Sequence, residues 1–345
     1  MSFFDGRDDL RRDFLKQNGW ADASAALIAQ DWAARRYWRL SSNDNTRILM
    51  ESVPDNHPDS TPGHKISDMV KIGQWLSSIG LHVPDIESVD QYNGFVLLED
   101  IGSQTLPLQI EPYETALEVL QKIHIEYHGN ALDLPSYKGS RVDEGKRRII
   151  EQLLPLIRGS KNNGDEVSQY LKIWGEIEAN LPDCPQTFLH IDYHAENIMW
   201  LPDDRGIRRC GILDYQGAHY GPLPYDLTNL LEDIRRDVSA DMKDALLSRF
   251  CEDISTEEKE IFKTWYKVLA LQFHCRVAGQ LIKLFQIRGD QKHLEYMPRV
   301  FGYLKNELSA FPALQSLFND LGFDFDIIPE ITPDRISDFV AQDAF

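Results

Sequence analysis

The sequence predicts an α+β chain of two lobes. A small N-terminal lobe of antiparallel sheet plus helix covers residues 1–100, and a larger, mainly helical C-terminal lobe covers residues 101–345. Three observations predict it. The chain has 345 residues, more than one small core accommodates. Its first hundred residues carry short apolar runs of strand length around an amphipathic helical pattern. From Tyr113 onward apolar residues recur mostly at i, i+3 and i+4, with one hairpin-like interruption near residues 198–213.

In order, residues 10–30 read as helical and residues 32–40 as the first strand. Residues 47–53 read as the next strand, and the Pro-, Asp- and Ser-rich residues 54–64 as a loop. Ile66, Met69, Val70, Gly73, Leu76 and Ile79 recur at helical spacing, which predicts a helix over 65–79 ended by Gly80. Residues 94–98 are a buried strand, and 99–106 the hinge into the second lobe. Helices are expected at 113–124, 142–157 and 167–181, with a polar loop at 158–165. More helices run to about residue 308, and the acidic, aromatic tail 322–345 carries no assignment. There is no internal repeat and no low-complexity tract.

Composition narrows the function. Hydrophobic residues make up 42%, ordinary for a globular chain. No apolar run approaches the roughly 20 residues a membrane span needs, and the N-terminus lacks a signal-peptide pattern. Cys184, Cys210, Cys251 and Cys275 are scattered without metal-ligand spacing and read as reduced packing thiols. These features fit a cytoplasmic protein. A net charge of −19 excludes nucleic acid and anionic membranes as expected partners, because both demand basic faces.

The chemistry is concentrated in His190-Ile191-Asp192-Tyr193-His194-Ala195-Glu196-Asn197. The spacing H-x-D-x-x-x-x-N is that of a kinase catalytic loop, where the aspartate receives the acceptor proton and the asparagine binds magnesium. Asp214 follows at the end of the run Gly211-Ile212-Leu213. A hairpin folded about the Arg205–Gly206 midpoint would set Leu201 opposite Cys210 and Asn197 opposite Asp214. Such pairs have Cβ atoms roughly 4.5–5.5 Å apart, so the two side chains would share one Mg²⁺. A one-residue slip in this register would break that pairing. A rival reading takes His190, Asp192 and His194 as an H-x-D-x-H metal cluster, since imidazole suits zinc or iron. Against it, no further His or Cys group completes a shell nearby.

Beyond this loop, Gly211-Ile212-Leu213-Asp214-Tyr215-Gln216 and Tyr220-Gly221-Pro222-Leu223-Pro224-Tyr225-Asp226-Leu227 resemble the aminoglycoside phosphotransferase family, whose members have a protein-kinase-like fold. The stretch from Asp31 through Arg35-Arg36-Tyr37-Trp38-Arg39-Leu40 and the run Leu97-Leu98-Glu99-Asp100-Ile101-Gly102 are similar to the N-acetylmuramate/N-acetylglucosamine anomeric kinases within it. The likeness runs from about residue 10 to 305.

The resemblance implies ATP and Mg²⁺ as cofactors and a small-molecule hydroxyl as acceptor. It implies Asp192 as catalytic base, Asn197 and Asp214 as magnesium ligands, and His190 and Asp226 as structural support. Leu98, Glu99 and Asp100 align with the adenine-binding hinge. His194, Glu196 and Gln216 are candidate acceptor contacts. The chain departs from the family pattern where a strand lysine binds phosphate: Met50 stands there, so Arg35 or Arg36 is expected to supply the charge. It departs again at Gln272-Phe273-His274-Cys275-Arg276, which weakens the transfer of sugar specificity. The acceptor thus stays open among an amino sugar phosphorylated at its anomeric hydroxyl, an aminoglycoside, and choline or homoserine. A pseudokinase that binds nucleotide without turnover is the reading from another class.

Overall fold

A computed structural model describes residues 3–30, 35–60, 63–129, 132–138, 145–289 and 291–340. Contacts divide the chain into two units, Met1–Leu134 with His190–His219, and Pro135–Leu189 with Tyr220–Phe345.

The first unit is built on a five-stranded antiparallel sheet: β1 (Ser24–Gln30), β2 (Arg35–Ser42), β3 (Asn45–Ser52), β4 (Ile86–Asp90) and β5 (Phe95–Glu99), in the order β1-β2-β3-β5-β4. The expectation of helix over residues 10–30 is corrected here. Helix α1 covers only Asp8–Gln17, and Ser24–Gln30 is an edge strand paired with β2. The alanine-rich run Ser24-Ala25-Ala26-Leu27-Ile28-Ala29 favours helix locally, but pairing with a strand outweighs propensities of this size. The strand expected to begin at Trp32 begins among the described residues at Arg35; Asp31, Trp32, Ala33 and Ala34 lie outside them. β2 and β3 close through Asn43-Asp44, with Asn43 at φ +52, the conformation a two-residue hairpin turn requires.

Strand alternation gives the sheet two distinct faces. Leu40, Leu49, Phe95 and Leu97 pack with Phe14 and Leu15 of α1 on one of them. Glu51 is fully buried on that face and is held by Arg7 at 2.9 Å and Arg11 at 3.5 Å. The other face carries the directly opposed Tyr37, Met50 and Val96. Helix α2 spans Ile66–Ser78, close to expectation, and Gly80 follows it at φ +88. The Asp55 carboxylate accepts from the amides of Ile66 and Ser67 at 2.7 and 3.1 Å, which satisfies two donors the helix start leaves unpaired.

The second unit is helical. The 33-residue helix Thr256–Arg288 starts in a capping box between Ser255 and Glu258 and ends at Gly289, φ +68. A second capping box, Asn163 with Glu166, opens helix Gly164–Ala179. Around them Tyr170, Trp174, Leu271, Cys275, Ile282, Phe301 and Phe318 form the core. The helix expected at 142–157 is interrupted by a π turn at Ile149–Leu153; residues 142–144 lie outside the described residues. The unassigned tail completes this core: helix Pro333–Phe339 buries Ile336, Val340 is buried beside it, and Arg335 bonds the Leu156 carbonyl. Among the described residues no helix is long and apolar enough to cross a membrane.

Candidate active site

The segment His190–Asn197 belongs to the first unit. Tyr193 is fully buried and its hydroxyl donates to the Ala116 carbonyl at 2.8 Å, fixing the loop to helix Ile110–Glu126. After the loop, strands Ile198–Trp200 and Cys210–Ile212 pair antiparallel. The register is Ile198 to Ile212, Met199 to Gly211 and Trp200 to Cys210, one residue off expectation. Leu201 is therefore not opposite Cys210, and Asn197 lies opposite Leu213, whose amide donates to the Asn197 carbonyl at 2.9 Å. The cause is the connection: residues Gly206–Arg209 coil into a 3-10 turn, which centres the hairpin on Arg205 rather than beyond it.

Asp214 reaches the site by a different device. It adopts a left-handed backbone at φ +58, ψ +35, which turns the chain out of the strand immediately after Leu213. A short polar side chain tolerates that region better than most. Ile191, just before Asp192, sits at φ +79. A β-branched residue there is strained by about 1–3 kcal/mol, and such strain gathers at functional sites.

His190 ties the two segments together. It is buried, and its Nε2 donates to the Leu213 carbonyl at 2.9 Å. Burial holds its pKa below the ordinary histidine value, against the opposing pull of Asp192 and Asp214, so the ring stays neutral with its proton on Nε2. The bond to Leu213 makes Nε2 unavailable to a metal. Among the described residues no group of three or more His, Cys, Asp or Glu is arranged around a metal position.

Asn197 Nδ2 donates to the Asp192 carbonyl at 3.0 Å and lies 3.2 Å from His194 Nε2. This fixes the amide orientation and leaves Oδ1 without a partner among the described residues. The Asp214 Oδ1 accepts from Arg35 Nη2 at 2.9 Å and Gln216 Nε2 at 2.5 Å, while Oδ2 carries no hydrogen bond among those residues. Burial pushes the Asp214 carboxyl up, but Arg35 and the Gln216 amide outweigh it and hold the pKa below the usual value. The half-buried Asp192 carboxylate also makes no hydrogen bond among the described residues. Hard oxygen donors from Asn197 and Asp214 fit the chemistry Mg²⁺ requires.

The remaining predicted residues divide. Arg35, 3% exposed, is brought to Asp214, whereas Arg36 points to the opposite face, its guanidinium 4.2 Å over the Phe4 ring. Gln216 and His194 are occupied within the site by Asp214 and Asn197, and Glu196 is exposed. Leu98 is buried at the end of β5; Glu99 accepts from the Asp85 amide at 3.2 Å. The Asp100 carboxylate is clamped by Arg39 at 2.8 and 3.1 Å. Asp226 is buried on helix Tyr225–Leu231 of the second unit. Sequence reasoning missed two supports. Arg39 gave no signal beyond its charge. Gly73 did: a glycine on the apolar stripe of α2 marks a close approach, here of the buried Tyr215 side chain.

The sequence profile of the Phosphotransferase enzyme family matches residues 24–261. The chain belongs to this phosphotransferase family. The match covers the sheet, the loop 190–197 and Asp214. The N-acetylmuramate/N-acetylglucosamine kinase of Caulobacter vibrioides is 27% identical, over 92% of this chain and 96% of its own length. The kinase of the same description from Pseudomonas aeruginosa is 28% identical over 87% and 89%. Among solved structures, aminoglycoside 2'-phosphotransferase-IIIa superposes with a TM-score of 0.59 at 11% identity, covering 87% of this phosphotransferase and 99% of that chain. Choline kinase LicA from Streptococcus pneumoniae gives 0.57 at 15%, covering 90% and 100%. These likenesses establish the protein-kinase-like fold.

Proposed function

We propose that this phosphotransferase moves the γ-phosphoryl group of ATP to a hydroxyl of an amino sugar, the anomeric hydroxyl of an N-acetylmuramate- or N-acetylglucosamine-type acceptor. The observation that carries the phosphotransfer reading is the set of three oxygen sites without a hydrogen-bond partner among the described residues: the Asp192 carboxylate, Asn197 Oδ1 and Asp214 Oδ2. None of the three is a buried atom without a partner, so all are open to solvent and available to a group that binds there. The acceptor class is supported by the two kinases just described, which match along most of their length.

Asp192 orients the acceptor hydroxyl and takes its proton as the oxygen–phosphorus bond forms and the bond to the departing ADP breaks. Asn197 and Asp214 would hold Mg²⁺, whose charge offsets that of the phosphates. His190 and Gln216 act through others, His190 by fixing Leu213 and Gln216 by orienting Asp214. Positioning and charge neutralisation carry most of the rate in such transfers.

The test is magnesium-dependent ADP release with N-acetylmuramate, N-acetylglucosamine, kanamycin, choline and homoserine, using wild type and Asp192→Asn in parallel. The expected outcome is turnover with an amino sugar, lost in Asp192→Asn while nucleotide binding persists. Turnover confined to kanamycin, choline or homoserine would replace the acceptor class. Near-normal turnover by Asp192→Asn would remove the base, and nucleotide binding without turnover or magnesium dependence would favour a pseudokinase.

A further inference from the structure

A nucleotide polyphosphate presents several negative charges, and a site that binds it needs fixed cationic donors as well as metal ligands. In protein kinases the cation is a lysine on the third strand, paired with a glutamate on the neighbouring helix. Neither partner is present here. β3 offers Met50, buried to 2% exposure, and the acidic residue of α2 is Asp68 in its first turn.

The register shows what stands nearby. Met50 is directly opposite Tyr37 of β2, and Arg35 lies two residues before Tyr37 on the same sheet face. That alternation delivers Arg35 to the site and sends Arg36 and Trp38 to the other face, where they meet Phe4 and Arg11. Arg39, further along the site face, is held by Asp100. Arg35 is buried, with Nη2 2.9 Å from Asp214 Oδ1.

We infer that the phosphate-binding cation of this enzyme has moved from β3 to the start of β2, and that Arg35 performs two tasks in turn. Without nucleotide, Arg35 pairs with the Asp214 carboxylate across 2.9 Å. With nucleotide, Asp214 turns to the metal and Arg35 to the phosphate oxygens. A guanidinium suits this exchange, because its planar fork of five donors matches carboxylate and phosphate alike and it stays charged when desolvated.

Granted the phosphotransfer reading on which this rests, the test is equilibrium binding of ADP by calorimetry, in MgCl₂ and in EDTA. Wild type is compared with Arg35→Met and the double variant Arg35→Met/Met50→Lys, with thermal midpoints to verify folding. Arg35→Met should weaken Mg-ADP binding about 30-fold, and the double variant should return to within about 5-fold of wild type, because the charge is restored on the same face. Wild-type affinity in Arg35→Met, or a double variant no tighter than the single one, would overturn the inference. Should Arg35→Met fail to fold, Arg35→Lys replaces it: about 5-fold weaker binding is expected from a point charge without the fork, and unchanged affinity overturns the inference. No Mg-ADP binding by wild type would instead remove the phosphotransfer reading itself.

Discussion

His190 Nε2 donates to the Leu213 carbonyl across 2.9 Å, joining the residue two before Asp192 to the residue one before Asp214. One buried neutral imidazole thus sets the spacing between the two acidic segments of the site. Its low pKa is part of the device, since a charged ring would need a second acceptor and would compete for Asp192 and Asp214.

Replacing His190 with Phe keeps the ring volume and removes the donor. The Leu213 carbonyl then loses its partner, at a cost of about 1–2 kcal/mol. Urea unfolding should register that loss, and turnover should fall more than nucleotide affinity. Unchanged stability and turnover would mean that the tie is dispensable.

Gly73 is the close-approach point between α2 and the residue after Asp214. A Cβ added there would lie 2.5 Å from the Tyr215 hydroxyl, which is buried and hydrogen-bonded to nothing among the described residues. Alanine gains helix propensity worth about 1 kcal/mol over glycine. The overlap should exceed that gain, so Gly73→Ala is expected to cost about 1–2 kcal/mol net. Tyr215→Phe in the same chain removes the overlapping atom and should recover most of the loss, read as the coupling in a double-mutant cycle. Additive single effects would contradict the contact.

Two histidines predict acid sensitivity with a definite sign. Burial lowers His124 to about 4 and also lowers His190, so both are neutral when folded. The unfolded chain protonates them near the ordinary value of about 6.5. Stability should therefore fall as pH drops below about 6.5 and keep falling toward 4, because the unfolded state binds more protons over that window. His124→Gln should flatten the slope of urea stability against pH between those limits. An unaltered slope would show that His124 does not titrate on unfolding.

The second-unit histidine has the opposite sign. Burial pushes His274 down, but Glu307 at 2.8 Å, with Glu232 behind it, outweighs burial and raises its pKa. Its contribution is full below about 6.5 and is lost as pH rises through the higher folded value. His274→Gln should thus lose more stability at pH 6 than at pH 9. Equal losses would mean that the imidazole is not charged beside Glu307.

The class of chemistry was legible in sequence because it depends on residue type and local spacing. An aspartate, an asparagine five residues on and a second aspartate after an apolar run define one kind of chemistry, and the family profile spans all three. The geometry was less legible. The hairpin register turned on whether residues 206–209 extend or coil, a matter of local energies too small to read from four residues. The strand at Ser24–Gln30 was hidden by its alanines, because its pairing partner lies elsewhere in the chain. Ile191 at φ +79 left no sequence trace, since strain of that kind is imposed by surroundings.

The sequence by itself determined the class of chemistry, the amphipathic helices and the departure at Met50, all set by side-chain type and short-range periodicity. The tertiary structure alone decided which arginine reaches Asp214. Arg35 and Arg36 are equivalent in composition and adjacent in sequence, but a strand sends neighbours to opposite faces, so one meets Asp214 and the other Phe4. It also decided that residues 190–219 join the first unit, a return across the chain made by long-range contacts that no local pattern encodes.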